Sequence, residues 1–190
     1  RFLDRIDDTA QEIGAVNTIV GRSGKLHGYN TDGQAAVKAL SHLESLSGRR
    51  TVILGAGGAA KAIAHQLSKM VETIVILNRT RSKGARLASK VTKLSEASSR
   101  SYALDNTNLC REVAQANLLI NTLPVDVFPH FGRILLRERL AGRDMLVMDA
   151  NYKPKTDFLA KASLAGAKAI DGLEMLIEQA ALSFKLWTGV

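Results

Sequence analysis

Gly55, Gly57 and Ala60 form a G-x-G-x-x-A turn directly after the apolar run Thr51–Leu54. Each position has a physical task. Gly55 permits a tight strand-to-helix turn, Gly57 lets a pyrophosphate approach the backbone, and Ala60 lets the helix pack closely on the strand. The helix that follows would aim free N–H groups and its positive dipole end at phosphates. A plain turn is the competing reading, but a strand before and a helix after are the context such a motif requires. Gly55, Ala56, Gly57, Gly58 and Ala59 are therefore candidate cofactor contacts.

The end of the next apolar run, Thr73–Leu77, bears on which dinucleotide is meant. An NAD site places a carboxylate there, about 20 residues after the glycines, to bind the adenosine ribose. Asn78, Arg79 and Thr80 stand at that place, and Lys83 follows. A carboxylate would repel a 2′-phosphate, whereas these residues supply neutral or positive donors. Arg79 can also stack its flat guanidinium on adenine. The chemistry selects NADP over NAD. The competing reading is a solvated basic helix start, which suits Arg81, Lys83 and Arg86 better than Arg79.

Elements must position these residues. Phe2–Ile13 reads as helix, Ile13–Val20 as a β-branched strand, Gly21–Gly24 as a turn and Lys25–Tyr29 as the second strand of a hairpin. A helix from Gln34 to about Leu46 follows, with Thr31 or Asp32 as its N-cap. From Arg49 onward strands and helices alternate. The strands are Thr51–Leu54, Thr73–Leu77, Leu118–Thr122, Met145–Asp149 and Lys168–Asp171. The helices are Ala60–Lys69, Arg81–Val91, Lys155–Leu164 and Met175–Trp187. Leu104–Ala114 reads as partly helical, and Ser95–Ser101 is the most loop-like stretch. The alternation predicts an α/β fold, a Rossmann-like doubly wound parallel sheet with a partial α/β substrate domain.

Composition bounds the rest. Hydrophobic residues make up 46% and charged residues 23% of 190 residues, as in ordinary soluble domains. No apolar run approaches the roughly 18 residues of a membrane span. The charged start, Arg1 to Asp8, lacks the apolar core of a secretory signal. One cysteine, Cys110, forbids an internal disulfide and fits a reducing compartment; a cytoplasmic location is expected. The formal net charge of +8 suits either an excess of surface lysine and arginine or attraction to an anionic cofactor or substrate. Scattered basic residues and few aromatics argue against a nucleic-acid partner. His27, His42, His65 and His130 are dispersed without ligand spacing, so no metal is expected. Arg1 stands where an initiator methionine would, so a piece of a longer protein is expected.

Four segments together resemble shikimate dehydrogenase. They are Gly14-Ala15-Val16-Asn17-Thr18, Gly28-Tyr29-Asn30-Thr31-Asp32-Gly33, the Gly55–Ala60 turn with Asn78-Arg79-Thr80, and Asp171-Gly172-Leu173-Glu174-Met175-Leu176 with Gln179. Asp149 to Tyr152, with Pro154 and Thr156, matches a further stretch, so the resemblance covers nearly the whole chain. It implies reduction of 3-dehydroshikimate to shikimate with NADPH, in aromatic amino-acid biosynthesis. It also implies an active site in the cleft between a substrate domain and a Rossmann-like cofactor domain.

By the same resemblance, Asn17 would bind substrate hydroxyls, and Asp32 would bind substrate and pair with a lysine to handle the proton of the reaction. Gln179 and Tyr152 match substrate positions. Thr122, Gly172 and Met175 match cofactor positions. Structural readings stay beside these: Asp32 as an N-cap, Asn17 as a buried and satisfied polar group, Tyr152 and Gln179 as packing, Met175 as core filler.

The family's lysine, and the paired serines that bind the substrate carboxylate, lie upstream of Gly14-Ala15-Val16-Asn17-Thr18 in a stretch outside this chain. These 190 residues are therefore expected to be inactive alone. The sequence from Leu123 to Asp126 departs from the family's usual Gly-Met, and Ala150 replaces a commonly larger residue. The expected organisation is a substrate-domain remnant over 1–31, a connecting helix over 32–47, an NADP-binding domain over 48–171, and a returning helix over 172–190. A quinate/shikimate dehydrogenase and a non-catalytic NADP-binding module are the alternative functions. The expected partner is the small-molecule substrate, with no membrane and no nucleic acid; a homodimer is left open.

Overall fold

A computed structural model describes residues 2–123, 133, 144–152 and 157–190. The chain opens with strand β1 (Arg5–Ile6) and helix α1 (Asp8–Ile13), where one helix over Phe2–Ile13 was expected. Asp7 causes the break: it is the N-cap, and its side chain accepts from the Thr9 and Ala10 N–H groups. Gly14, at φ 72°, ends α1 in the left-handed region.

Strands β2 (Thr18–Arg22) and β3 (Lys25–Tyr29) form an antiparallel hairpin, and β1 pairs parallel with β3. The turn is Ser23-Gly24 alone, both at positive φ, which matches the twist of a two-residue hairpin. It is two residues shorter than the sequence suggested.

Helix α2 (Asp32–Ser41) follows, with Thr31 in the N-cap position but without a side-chain capping bond. It ends at Ser41, short of the expected Leu46.

The second sheet contains β4 (Arg50–Leu54), β5 (Thr73–Asn78), β6 (Ser98–Ala103), β7 (Leu118–Asn121), β8 (Leu146–Asp149) and β9 (Lys168–Ile170). All its pairings are parallel, in the order β6-β5-β4-β7-β8-β9. Its helices are α3 (Gly58–Leu67), α4 (Arg81–Leu94), α5 (Asn106–Val113), α6 (Asp157–Leu164) and α7 (Gly172–Thr188). The fold is the expected α/β doubly wound one.

Strand β6 overturns the expected loop over Ser95–Ser101. Its serine-rich sequence hides a strand because it is an edge, buried on neither face, and holds by pairing to β5. The helix expected from Lys155 begins in the described residues at Asp157; Pro154 and Thr156, like 124–132, lie outside them.

Side chains of the parallel strands alternate between two cores. Ile53, Ile74, Ile76, Leu118, Ile120 and Met148 pack under α2, α3, α4 and the start of α7. Val52, Leu54, Val75, Leu77, Leu119 and Val147 face Leu109 and Val113 of α5 and Phe158, Leu159 and Ala162 of α6.

Helices α2 and α3 approach at backbone distance. A methyl group at Gly33 would stand 2.3 Å from the Ala62 carbonyl oxygen. Ala35, Ala36 and Ala39 continue this small-residue face.

Candidate functional site

The chain order reverses beside β4. It runs outward through β5 and β6, then returns to β7 on the other side. In open α/β sheets the crevice at that reversal, beyond the carboxyl ends of the strands, is where ligands bind. Gly55 follows β4 there at φ +108°, and a methyl group on it would meet the Thr122 hydroxyl at 2.4 Å. Thr122 Oγ1 donates to the Leu54 carbonyl at 2.6 Å, tying the two strand ends together. Only glycine meets both demands at position 55. Ala60 is fully buried, as its packing role requires.

Gly57 is the N-cap of α3, with open space where a side chain would be. Its neighbour Gly58 meets nothing closer than Ala15 Cβ at 3.9 Å. The first N–H groups of α3 therefore open onto a cavity lined by Ala56, Gly57, Gly58, Lys61, Lys83, Arg86, Lys90 and the end of α1. The donors, the helix dipole and the cations all suit phosphate groups, so the residues present fit a dinucleotide.

Asn78 Nδ2 donates to the Thr80 carbonyl at 2.8 Å and so fixes the β5–α4 turn. Arg79 and Thr80 are exposed on that turn and do not line the cavity.

A second cleft lies between the hairpin and α7, lined by Asn17, Thr18, Leu176, Gln179, Ser183, Phe184 and Trp187 among others. Asn17 is the hub of a hydrogen-bond network there. Its Nδ2 donates to Asp32 Oδ1 at 2.6 Å and to Thr31 Oγ1 at 2.9 Å. Its Oδ1 accepts from the Thr31 N–H and the Thr18 hydroxyl, both at 3.0 Å. The expected burial of Asn17 is corrected: it is exposed, just before β2, yet its amide is bonded.

Behind it, the Thr18 and Ser183 hydroxyls lie 2.8 Å apart, and Trp187 Nε1–H donates to the Ile19 carbonyl. These bonds dock α7 on the hairpin.

Asp32 opens α2, and its N–H donates to Asn30 Oδ1. Burial pushes its carboxyl above the ordinary carboxylate value, and the hydrogen bond from Asn17 opposes that shift. Among the described residues no cation pairs with it.

Gly172 starts α7 against the loop after β8, where a methyl group would meet the Ala150 carbonyl oxygen at 2.5 Å. Its neighbour on that face, Met175, is buried in the core below. Tyr152 is 66% exposed and lines neither cleft.

The sequence reading missed a polar cluster beside these residues. Asp149, fully buried, accepts through Oδ1 from Asn121 Nδ2 and from the Asn151 N–H and Nδ2. Asn151 also donates to the Leu123 carbonyl. A polar residue ending each of two adjacent apolar strands was the signal. Lys61 and Lys90, which line the first cavity, were not singled out either; the spacing of Lys83, Arg86 and Lys90 along one face of α4 could have shown Lys90, and nothing local marks Lys61 on α3.

No group of three or more His, Cys, Asp or Glu able to hold a metal occurs among the described residues. No helix among them is long and apolar enough to cross a membrane.

Comparison with known proteins agrees with this geometry. Residues 37–122 match the model of the shikimate / quinate 5-dehydrogenase family, and residues 172–190 that of the shikimate 5′-dehydrogenase C-terminal domain. A shikimate dehydrogenase (NADP(+)) of Pyrococcus abyssi is 45% identical over 100% of this chain and 68% of its own length. The crystal structure of Thermus thermophilus shikimate 5-dehydrogenase in complex with NADP(H) and shikimate superposes with a TM-score of 0.77 at 32% identity. It covers 99% of this chain and 67% of that one. A 5-ketofructose reductase of Gluconobacter, in its ligand-free form, superposes at 0.81 with 33% identity over 99% and 68% of the two chains. The chain spans about two thirds of the length of the curated relatives it matches, 66% for that of Thermococcus kodakarensis. With the glycine turn, the Asn17–Asp32 pair and the start of α7 in the places just described, the chain belongs to the shikimate dehydrogenase family.

Proposed function

We propose that this chain is the NADP-binding part of an enzyme that reduces 3-dehydroshikimate to shikimate with NADPH. The observation that carries the reading is the cavity at the start of α3, where open glycine N–H groups meet four cations and no carboxylate. The names of the relatives support it: they are NADP-linked shikimate dehydrogenases, and one neighbour holds both NADP(H) and shikimate.

Gly55, Ala56, Gly57, Gly58 and Ala59 would hold the pyrophosphate; Asn78, Arg79, Thr80 and Lys83 would hold the adenosine end with its extra phosphate. Thr122, Gly172 and Met175 would border the nicotinamide half. Bound there, the cofactor supplies a hydride.

The substrate would sit in the cleft beside α7, with Asn17 and Gln179 offering hydrogen bonds to its hydroxyls; the family resemblance adds Tyr152, which does not line that cleft. Asn17 occupies Asp32 Oδ1 and leaves Oδ2 to exchange a proton. A ketone reduced to an alcohol needs that proton, and a cation beside Asp32 would help deliver it. Low or absent turnover by these residues alone is part of the proposal. The organisation into 1–31, 32–47, 48–171 and 172–190 belongs to the same proposal.

Gly57→Ala is the test. The added methyl meets nothing in the structure, so the loss of stability should stay within about 1 kcal/mol, the cost of an alanine N-cap, or about 2–4 °C in melting temperature. It would crowd an approaching pyrophosphate, and NADPH affinity should drop about tenfold or more. Unchanged NADPH binding in this variant, or none in the parent chain, would reject the reading.

A further inference from the structure

The cavity at the start of α3 carries more positive charge than the sequence motif accounts for. Lys83, Arg86 and Lys90 stand at i, i+3 and i+7 on α4 and share one face. Helix α4 begins at the carboxyl edge of the sheet, so this row descends from that edge over about 10 Å. Lys61, one turn into α3, faces the row across the cavity. At the floor, a methyl group on Gly14 would lie 3.7 Å from Lys90 Nζ, which places that ammonium at the carbonyl end of α1.

None of the four cations is in an ion pair among the described residues. The acid that borders Lys61 and Lys90 in the adjoining small cavity is Glu12, and it is engaged by His65 at 2.8 Å. Four cations around one cavity repel one another and lower the free energy of an anion placed between them.

We propose that Lys61, Arg86 and Lys90 complete, with Lys83, a phosphate-reading cradle that makes this chain prefer a dinucleotide carrying a third phosphate. The proposal rests on the NADP reading and extends it to three residues outside the glycine turn and the Asn78-Arg79-Thr80 segment. The pyrophosphate, common to both dinucleotides, meets the backbone of Gly57 and Gly58. The third phosphate adds a charge of about −1.5 to −2, which the cation row is built to meet.

The test is titration of the 190-residue chain with NADPH and NADH, for the parent and for Lys61→Met, Arg86→Met and Lys90→Met. Arg81→Met, exposed and outside the cavity, is the control. Each of the three should raise the NADPH Kd about three- to tenfold and the NADH Kd less than about twofold. Lys90→Arg should restore most of the preference and guards against a loss caused by misfolding.

A parent chain that binds NADPH no better than NADH would sink the NADP reading itself. A parent that prefers NADPH, with variants that keep the preference, would sink only the cradle. Equal weakening of both dinucleotides would also sink it, because the cations would then serve the shared pyrophosphate.

Discussion

At the scale of single residues, Asn17 and Asp32 show how a short polar contact sets chemistry. Asn17 holds one carboxylate oxygen of Asp32 at 2.6 Å, while burial of that carboxyl favours its protonated form. The native state therefore binds this proton more tightly than the unfolded chain, whose value is near 3.8. Stability contributed by the proton is present below that value and is lost as pH rises through the raised native one. Asp32→Asn cannot ionise and keeps an oxygen for Asn17. Its melting temperature should gain on that of the parent between about pH 3 and pH 7, read by thermal denaturation. A gap that stays constant across that range would contradict the raised value.

At this scale the family resemblance named both residues, but not their bond to each other. It did not show that Asn17 would be exposed, or that Thr31 and Ser183 would form the polar tie behind it. Those contacts join residues more than 150 positions apart, and no local spacing encodes them.

At the scale of elements, the central parallel strands β4, β5, β7 and β8 were legible because each is buried on both faces and reads as an unbroken apolar run. Strand β6 was not, since an edge strand held by backbone pairing can be made of serines. Strand β1 was not, because two exposed residues carry no pattern.

The glycine turn illustrates how one residue type can do opposite work. Gly57 keeps space open, whereas Gly33 lets two helices touch. A methyl group at Gly33 would have to displace the Ala62 carbonyl, which belongs to a helix backbone and cannot swing away. Gly33→Ala should cost about 2 kcal/mol and lower the melting temperature by about 4–8 °C, measured by circular dichroism. A neutral result would mean that α2 and α3 are less closely packed than described.

At the scale of the whole molecule, two sheets share their helices. Ala35, Ala39 and Leu40 of α2 and Met175 of α7 lie in the same core as strands β4, β5 and β7, while α7 also bonds to the hairpin. Splitting the chain would expose that core, so unfolding should be a single transition. Trp187 is the sole tryptophan and sits on the hairpin side. Its fluorescence and the far-ultraviolet circular dichroism should change at one urea midpoint. Separate midpoints would show that the hairpin sheet melts independently.

The contact between Gly33 and Ala62 has a geometric consequence of its own. Asp32 immediately precedes Gly33, and Ala62 lies four residues beyond Gly58 on the same rigid helix. The spacing between the Asp32 carboxyl and the glycine turn is thus ruled by two backbones pressed together. Any adjustment of the cleft must come from the hairpin or from α7, and the acid and the turn will travel as one piece.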